Sequence, residues 1–139
     1  MSLVANLMPK KPKILVAEDE PSLCRYIQTL MSQWECELLI EPTAEGAIQR
    51  AATFKPDVAL LGLTPGMDRA RAGIGLLEVS PGTQIVLWNE SVPRHVLSDL
   101  RAQGYDFRTL AAPFSGEELR AVCFPRTSWA SETRQKHLF

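Results

Sequence analysis

Histidine is almost missing from this 139-residue chain, with two, and cysteine stops at three. Cys24, Cys36 and Cys123 are odd in number and widely scattered. They show no metal-ligand spacing and fit reduced cytosolic thiols. His95 falls in a helical stretch, and no Ser, Cys or Asp arrangement around it suggests a triad. No apolar run approaches the ~20 residues of a membrane span. The N-terminus lacks the basic-then-apolar order of a signal peptide, so a cytoplasmic location is expected. Charge of one sign is also lacking. The net charge is −1, which calls for neither nucleic acid nor a membrane surface. No period of 20 to 50 residues repeats, which excludes a solenoid.

The charge that is present is unevenly placed. Lys13 to Val122 holds 15 acidic and 10 basic residues, a body of −5. Lys10, Lys11, Arg126, Arg134 and Lys136 restore the balance at the ends. Residues 1–12 read as a flexible leader, 13–123 as one domain, and 124–139 as a polar tail.

Five apolar runs alternate with five helical patterns. The central one is Val58 to Leu61, introduced by Pro56-Asp57 and closed by Gly62. A short unbroken run with such borders predicts a strand buried on both faces. Thr64-Pro65-Gly66-Met67 then fits a type II turn. Before it come a strand at Lys13 to Ala17, a helix from Ser22 to Trp34, a strand at Leu38 to Ile40 and a helix capped by Thr43. After it, Asp68 to Ser80 is weak. Gly73 and Gly75 each cost a helix ~1 kcal/mol against Ala, so a short or irregular helix around Leu76 to Val79 is expected. A fourth strand spans Gln84 to Asn89. A helix capped by Ser91, with Pro93 in its first turn, ends at Gly104. A weaker strand covers Phe107 to Ala111. Ser115 and Glu118 form a capping box for the last helix, which Pro125 stops. This alternation predicts an α/β fold with a parallel sheet between helix layers.

Four stretches together resemble the receiver domain of two-component response regulators, over Lys13 to Val122. They are Ile14-Leu-Val-Ala-Glu-Asp-Glu-Pro21, Pro56-Asp-Val-Ala-Leu-Leu61, Pro65-Gly-Met-Asp68 and Ala112-Pro113-Phe114. The resemblance implies a flavodoxin-like doubly wound five-stranded parallel sheet, order 2-1-3-4-5, in three α/β/α layers. It also implies membership of a phosphorelay. An acidic pair helps hold Mg²⁺, and an aspartate takes a phosphoryl group from phosphohistidine. A Thr or Ser and a Lys bind the phosphoryl oxygens.

Carried over position by position, the acidic pair stands as Glu18 and Asp19. Gly62 occupies the phosphoacceptor position, Asn89 the hydroxyl position and Ala112 the lysine position. The aromatic expected on the fifth strand is replaced by Thr109, with Phe107 as a substitute in a shifted register. Glycine offers no nucleophile, and Ala112 brings no point charge for phosphate. The site is thus degenerate but electrostatically consistent: three carboxylates and a lysine, or two carboxylates alone, both sum to −2.

The domain is therefore expected to be a non-enzymatic, pseudo-receiver signalling module acting by protein–protein contact. Glu18 and Asp19 form at most a weak, empty metal site, and no cofactor is expected. The partner is a signalling protein, a histidine kinase or an effector, with a homodimer as another arrangement. Neither nucleic acid nor membrane is expected as a partner. The implied contact face carries Arg94, Arg101, Arg108 and Arg120. Two alternatives are a functional receiver with a displaced acceptor and a flavodoxin-like cofactor binder. The acidic Glu-Asp-Glu-Pro loop opposes the second because it repels phosphate. Trp88 is expected in the core, pointing away from the side of Asn89. Arg69 and Arg71 read as a solvated face, and Cys24 as structural.

Overall fold

The computed structural model describes residues 11–62, 69–88, 93–111 and 113–124. Five strands form one sheet: β1 (Lys13–Ala17), β2 (Glu37–Glu41), β3 (Val58–Leu61), β4 (Gln84–Trp88) and β5 (Arg108–Leu110). Their spatial order is β2-β1-β3-β4-β5, and every pairing is parallel. Among the described residues, four helices connect them, α1 (Pro21–Met31), α2 (Ala44–Phe54), α3 (Arg69–Val79) and α4 (Arg94–Ala102), and α5 (Gly116–Cys123) follows β5. The parallel sheet is the one expected from the alternating pattern, and its order is the flavodoxin-like one that the receiver resemblance implies.

Strand periodicity divides the core into two layers. Ile14, Val16, Val58, Leu60, Val86 and Trp88 face one side, where Ile27 and Met31 of α1 and Leu119 and Cys123 of α5 cover them. Leu15, Ala17, Ala59, Leu61, Ile85 and Leu87 face the other, under α2, α3 and α4. All four residues of β3 are buried, so each large aliphatic side chain there contributes about 1.5–3 kcal/mol of transfer free energy. The small face of α2, with Ala44, Ala47 and Ala51, lets that helix lie close to the sheet.

Local signals set three of the five described helix starts. The Glu20 carboxylate accepts the Leu23 N–H and starts α1. Thr43 does the same for α2 through Gly46 N–H. Ser115 and Glu118 form the reciprocal capping box of α5. Gly104, at φ 96°, follows the end of α4.

Some expectations need correction. The first helix ends at Met31 rather than Trp34, and Trp34 instead packs edge-on against Phe124 at 5.7 Å. The weak segment is a full helix from Arg69 to Val79. Gly73 is buried there, and packing outweighs its poor propensity. The fourth helix begins at Arg94, with Pro93 at the N-cap position and no side-chain cap. Ser91, Asn89, Ala112, Pro125, the Thr64–Met67 turn and most of the tail lie outside the described residues. Among the described residues, no helix is long and apolar enough to cross a membrane.

Candidate functional site

In open sheets of this kind, ligands meet the carboxyl ends of the strands where the strand order reverses. Here that region lies between β1 and β3. Gly62 leaves β3 by donating its N–H to the Ala17 carbonyl at 3.0 Å, while Glu18 donates its own N–H to the Glu41 carbonyl at 3.0 Å. Ala17 pairs with Leu61, and Leu61 with Leu87. One step further along, Glu18, Gly62 and Trp88 are neighbours on three adjacent strands. By alternation all three side-chain positions face the α1/α5 layer.

Trp88 fills that layer. Its side chain is fully buried, with its ring edge-on to Phe114 at 5.1 Å and 65°. The indole also lies directly over Gly62. A Cβ placed on Gly62 would sit within the envelope of Trp88 Nε1 and Cε2, and only 2.7 Å from Cδ1. Contacts under about 3 Å are ones that real Cβ atoms do not make, so only glycine fits beside this ring. The expectation of core packing for Trp88 therefore holds. What sequence reasoning missed is where the ring goes: into the space that a side chain at position 62 would need. A bulky aromatic on β4, level with a glycine on β3, was the signal that could have found it.

The carboxylates are unequal. Glu18 is 1% exposed. Its Oε2 accepts the Glu20 N–H at 3.0 Å. Its other oxygen, Oε1, is buried without a hydrogen-bond partner, and so is Trp88 Nε1. Burial pushes the Glu18 carboxyl above its usual range, the Glu20 N–H pulls it back, and the neighbouring Asp19 charge pushes it up again. Asp19 is exposed. Glu20 is committed to its helix cap: bonds from the Ser22 hydroxyl and Leu23 N–H hold its carboxyl low.

A hard divalent cation wants several oxygens in near-octahedral order. The described residues here supply one buried carboxylate, Glu18, one exposed carboxylate, Asp19, and the indole N–H of Trp88. That donor set does not fit Mg²⁺. Among the described residues, no three His, Cys, Asp or Glu side chains gather as a metal site.

The surroundings also depart from expectation. Arg69 is half-buried rather than solvated, and its Nη1 donates to the Trp88 carbonyl at 2.9 Å, tying α3 to the end of β4. Thr109 is exposed and pairs with Leu87. Phe107 precedes β5 and is buried in the opposite core layer. Cys24 contributes a long Sγ contact of 3.5 Å to the Glu18 carbonyl. Arg94, Arg101, Arg108 and Arg120 are all exposed on α4, β5 and α5. Arg101 lies 4.0 Å from Asp106, and Arg120 stands 5.5 Å over the Phe124 ring.

Comparison with known proteins gives one kind of match. No family model matches the sequence, and no curated protein matches it. Solved structures do. The receiver domain of an HD domain-containing protein from Pseudomonas fluorescens Pf-5 is 19% identical with a TM-score of 0.74, over 92% of this chain and 95% of that one. A CheY-like receiver domain protein from Methanospirillum hungatei JF-1 is 14% identical with a TM-score of 0.72, over 91% and 99%. The receiver domain of a sensor histidine kinase from Pseudomonas aeruginosa PAO1 is 20% identical with a TM-score of 0.66, over 84% and 97%. That last structure has a magnesium ion coordinated in its active-site cleft. The chain thus has the fold of response-regulator receiver domains, with an aromatic ring over the glycine that ends its central strand.

Proposed function

We propose that this chain is a receiver-type signalling module that takes no phosphoryl group and acts by binding another protein. The observation that carries the reading is the indole of Trp88 over Gly62. Position 62 has no nucleophile, and the ring denies the space in which one could be restored. An indole over Gly62 and the buried Glu18 carboxylate beside it also disfavour a flavin or another phosphate-bearing cofactor at this sheet end.

The same geometry disfavours Mg²⁺. Glu18 spends one oxygen on the Glu20 N–H, and the remaining oxygen is buried without a partner, as is the Trp88 indole N–H. Adding Asp19 completes no octahedron.

Output then falls to a surface. A ligand shifts an equilibrium only through unequal affinity for its two states. With neither phosphate nor metal bound, the α4–β5–α5 face has no such lever and holds one conformation. Arg94, Arg101, Arg108 and Arg120 are exposed basic positions on this face, beside the exposed carboxylates Asp99, Asp106, Glu117 and Glu118, on an otherwise acidic body, and these arginines suit an acidic patch on a partner protein.

The test is intact mass before and after incubation with Mg²⁺ and acetyl phosphate. The mass stays unchanged for the wild type and for Gly62→Asp. A stoichiometric, base-labile gain of one phosphoryl group in the wild type overturns the reading. In parallel, Mg²⁺ leaves the melting temperature unchanged, because only a ligand that binds the native state raises it. A rise that disappears in Asp19→Ala would show a working cation site.

A further inference from the structure

We propose that Glu18 latches the Trp88 ring over Gly62 through one resident water molecule. A carboxylate that the family resemblance assigns to a cation becomes the clasp of an aromatic plug. The inference rests on the reading of the site as plugged and adds how the plug is held.

Two buried side-chain polar atoms among the described residues have no hydrogen-bond partner, Glu18 Oε1 and Trp88 Nε1. Leaving either unsatisfied costs on the order of 1–3 kcal/mol. One is an acceptor and the other a donor. One residue beyond the paired Ala17, Leu61 and Leu87, they lie on the same sheet face at the ends of the two strands that flank Gly62, which puts no side chain between them. Such complementarity across Gly62 is what a bridging water satisfies: it accepts from the indole and donates to the carboxylate.

Both groups are held in place for that role. Glu18 is fixed by its N–H on the Glu41 carbonyl and by its Oε2 on the Glu20 N–H, which leaves Oε1 as its remaining acceptor. Trp88 is fixed by Phe114 against its ring and by Arg69 at its carbonyl. A cation is the wrong occupant, because the indole N–H presents positive charge. A phosphate is wrong as well, because it would meet a carboxylate.

The experiment is solution NMR of the full ¹⁵N-labelled chain, with the Trp88 indole resonance assigned by its loss in Trp88→Phe. In the wild type the indole proton shows a cross-peak to a long-lived water and exchanges with deuterium more than roughly tenfold slower than in the denatured chain. Glu18→Gln retains the cross-peak, because its carbonyl still accepts. Glu18→Leu loses it while the Trp88 ring stays buried. A wild-type indole with no bound-water cross-peak overturns the proposal, as does a cross-peak that survives in Glu18→Leu or vanishes in Glu18→Gln. The wild-type and Glu18→Gln results decide the matter even where Glu18→Leu does not fold. The readout is independent of phosphorylation, so a failed latch is distinguishable from a failed plug.

Discussion

Phe107 is seated against Gly73. A Cβ on Gly73 would lie 2.8 Å from Phe107 Cε2 and 3.1 Å from Ile85 Cγ2. The glycine in α3 therefore makes room for the aromatic that precedes β5. Replacing a helical glycine with alanine ordinarily favours the helix by up to ~1 kcal/mol. Here the added methyl overpacks a buried contact, at a cost of about 1–3 kcal/mol. Gly73→Ala is thus expected to lower the denaturant midpoint, and Gly73→Ala with Phe107→Leu to recover most of the loss. An unchanged or raised midpoint in Gly73→Ala would show that the ring simply moves aside.

Burial pushes the Cys123 thiol up to about 12 from an ordinary value of 9.0. The native chain therefore keeps this proton between those values, where the unfolded chain releases it. Stability from this group is complete below pH 9.0 and is lost as pH rises toward about 12. Glu18 follows the same sign at lower pH. Its raised carboxyl makes the ionised native form less favourable, so acidification through its native value relieves a penalty. For Cys123 the measurable consequence is slow alkylation. At about pH 8, iodoacetamide should modify it only at the rate of unfolding, because the thiolate is the nucleophile. Labelling in the native state as fast as in denaturant would contradict the burial.

Charge reversal at Arg101 and Arg120 tests the proposed face. Both side chains are exposed. The Arg101–Asp106 pair is exposed at both ends, and such pairs contribute at most about 1 kcal/mol. Arg120 adds a cation–π contact with Phe124 of about 0.5–1 kcal/mol. The double reversal should accordingly leave the fold intact while weakening capture of an acidic protein partner, with a smaller salt dependence of association. A partner held equally by the double reversal yet lost in Glu18→Ala would place the working surface at the strand ends instead.

The fold was legible because every strand but the short β5 is built on a compact apolar run and each helix but one has a clear apolar face. The exception is α3, whose two glycines argue against a helix locally. Gly73 faces Phe107 and Ile85, and Gly75 faces Ile48, so tertiary contact supplies what propensity lacks. Gly62 was legible as a position with no side chain, since glycine has none in any fold. Its pairing with Trp88 was not, because that needs strand register and the direction of an indole together. The role of Arg69 was hidden for a similar reason: its partner is a backbone carbonyl 19 residues away, which leaves no side-chain pattern in the sequence.

The central claim is that Gly62 is glycine because Trp88 occupies its side-chain space. A double-mutant cycle in chemical denaturation measures this directly, using Gly62→Ala, Trp88→Leu and the pair. In the wild-type background the new methyl meets the indole, and Gly62→Ala should cost about 1–3 kcal/mol. In the Trp88→Leu background the space is open, and the same substitution should cost far less, giving a coupling energy of about 1 kcal/mol or more. Equal costs in the two backgrounds would contradict the account, for then the ring does not stand where an acceptor would.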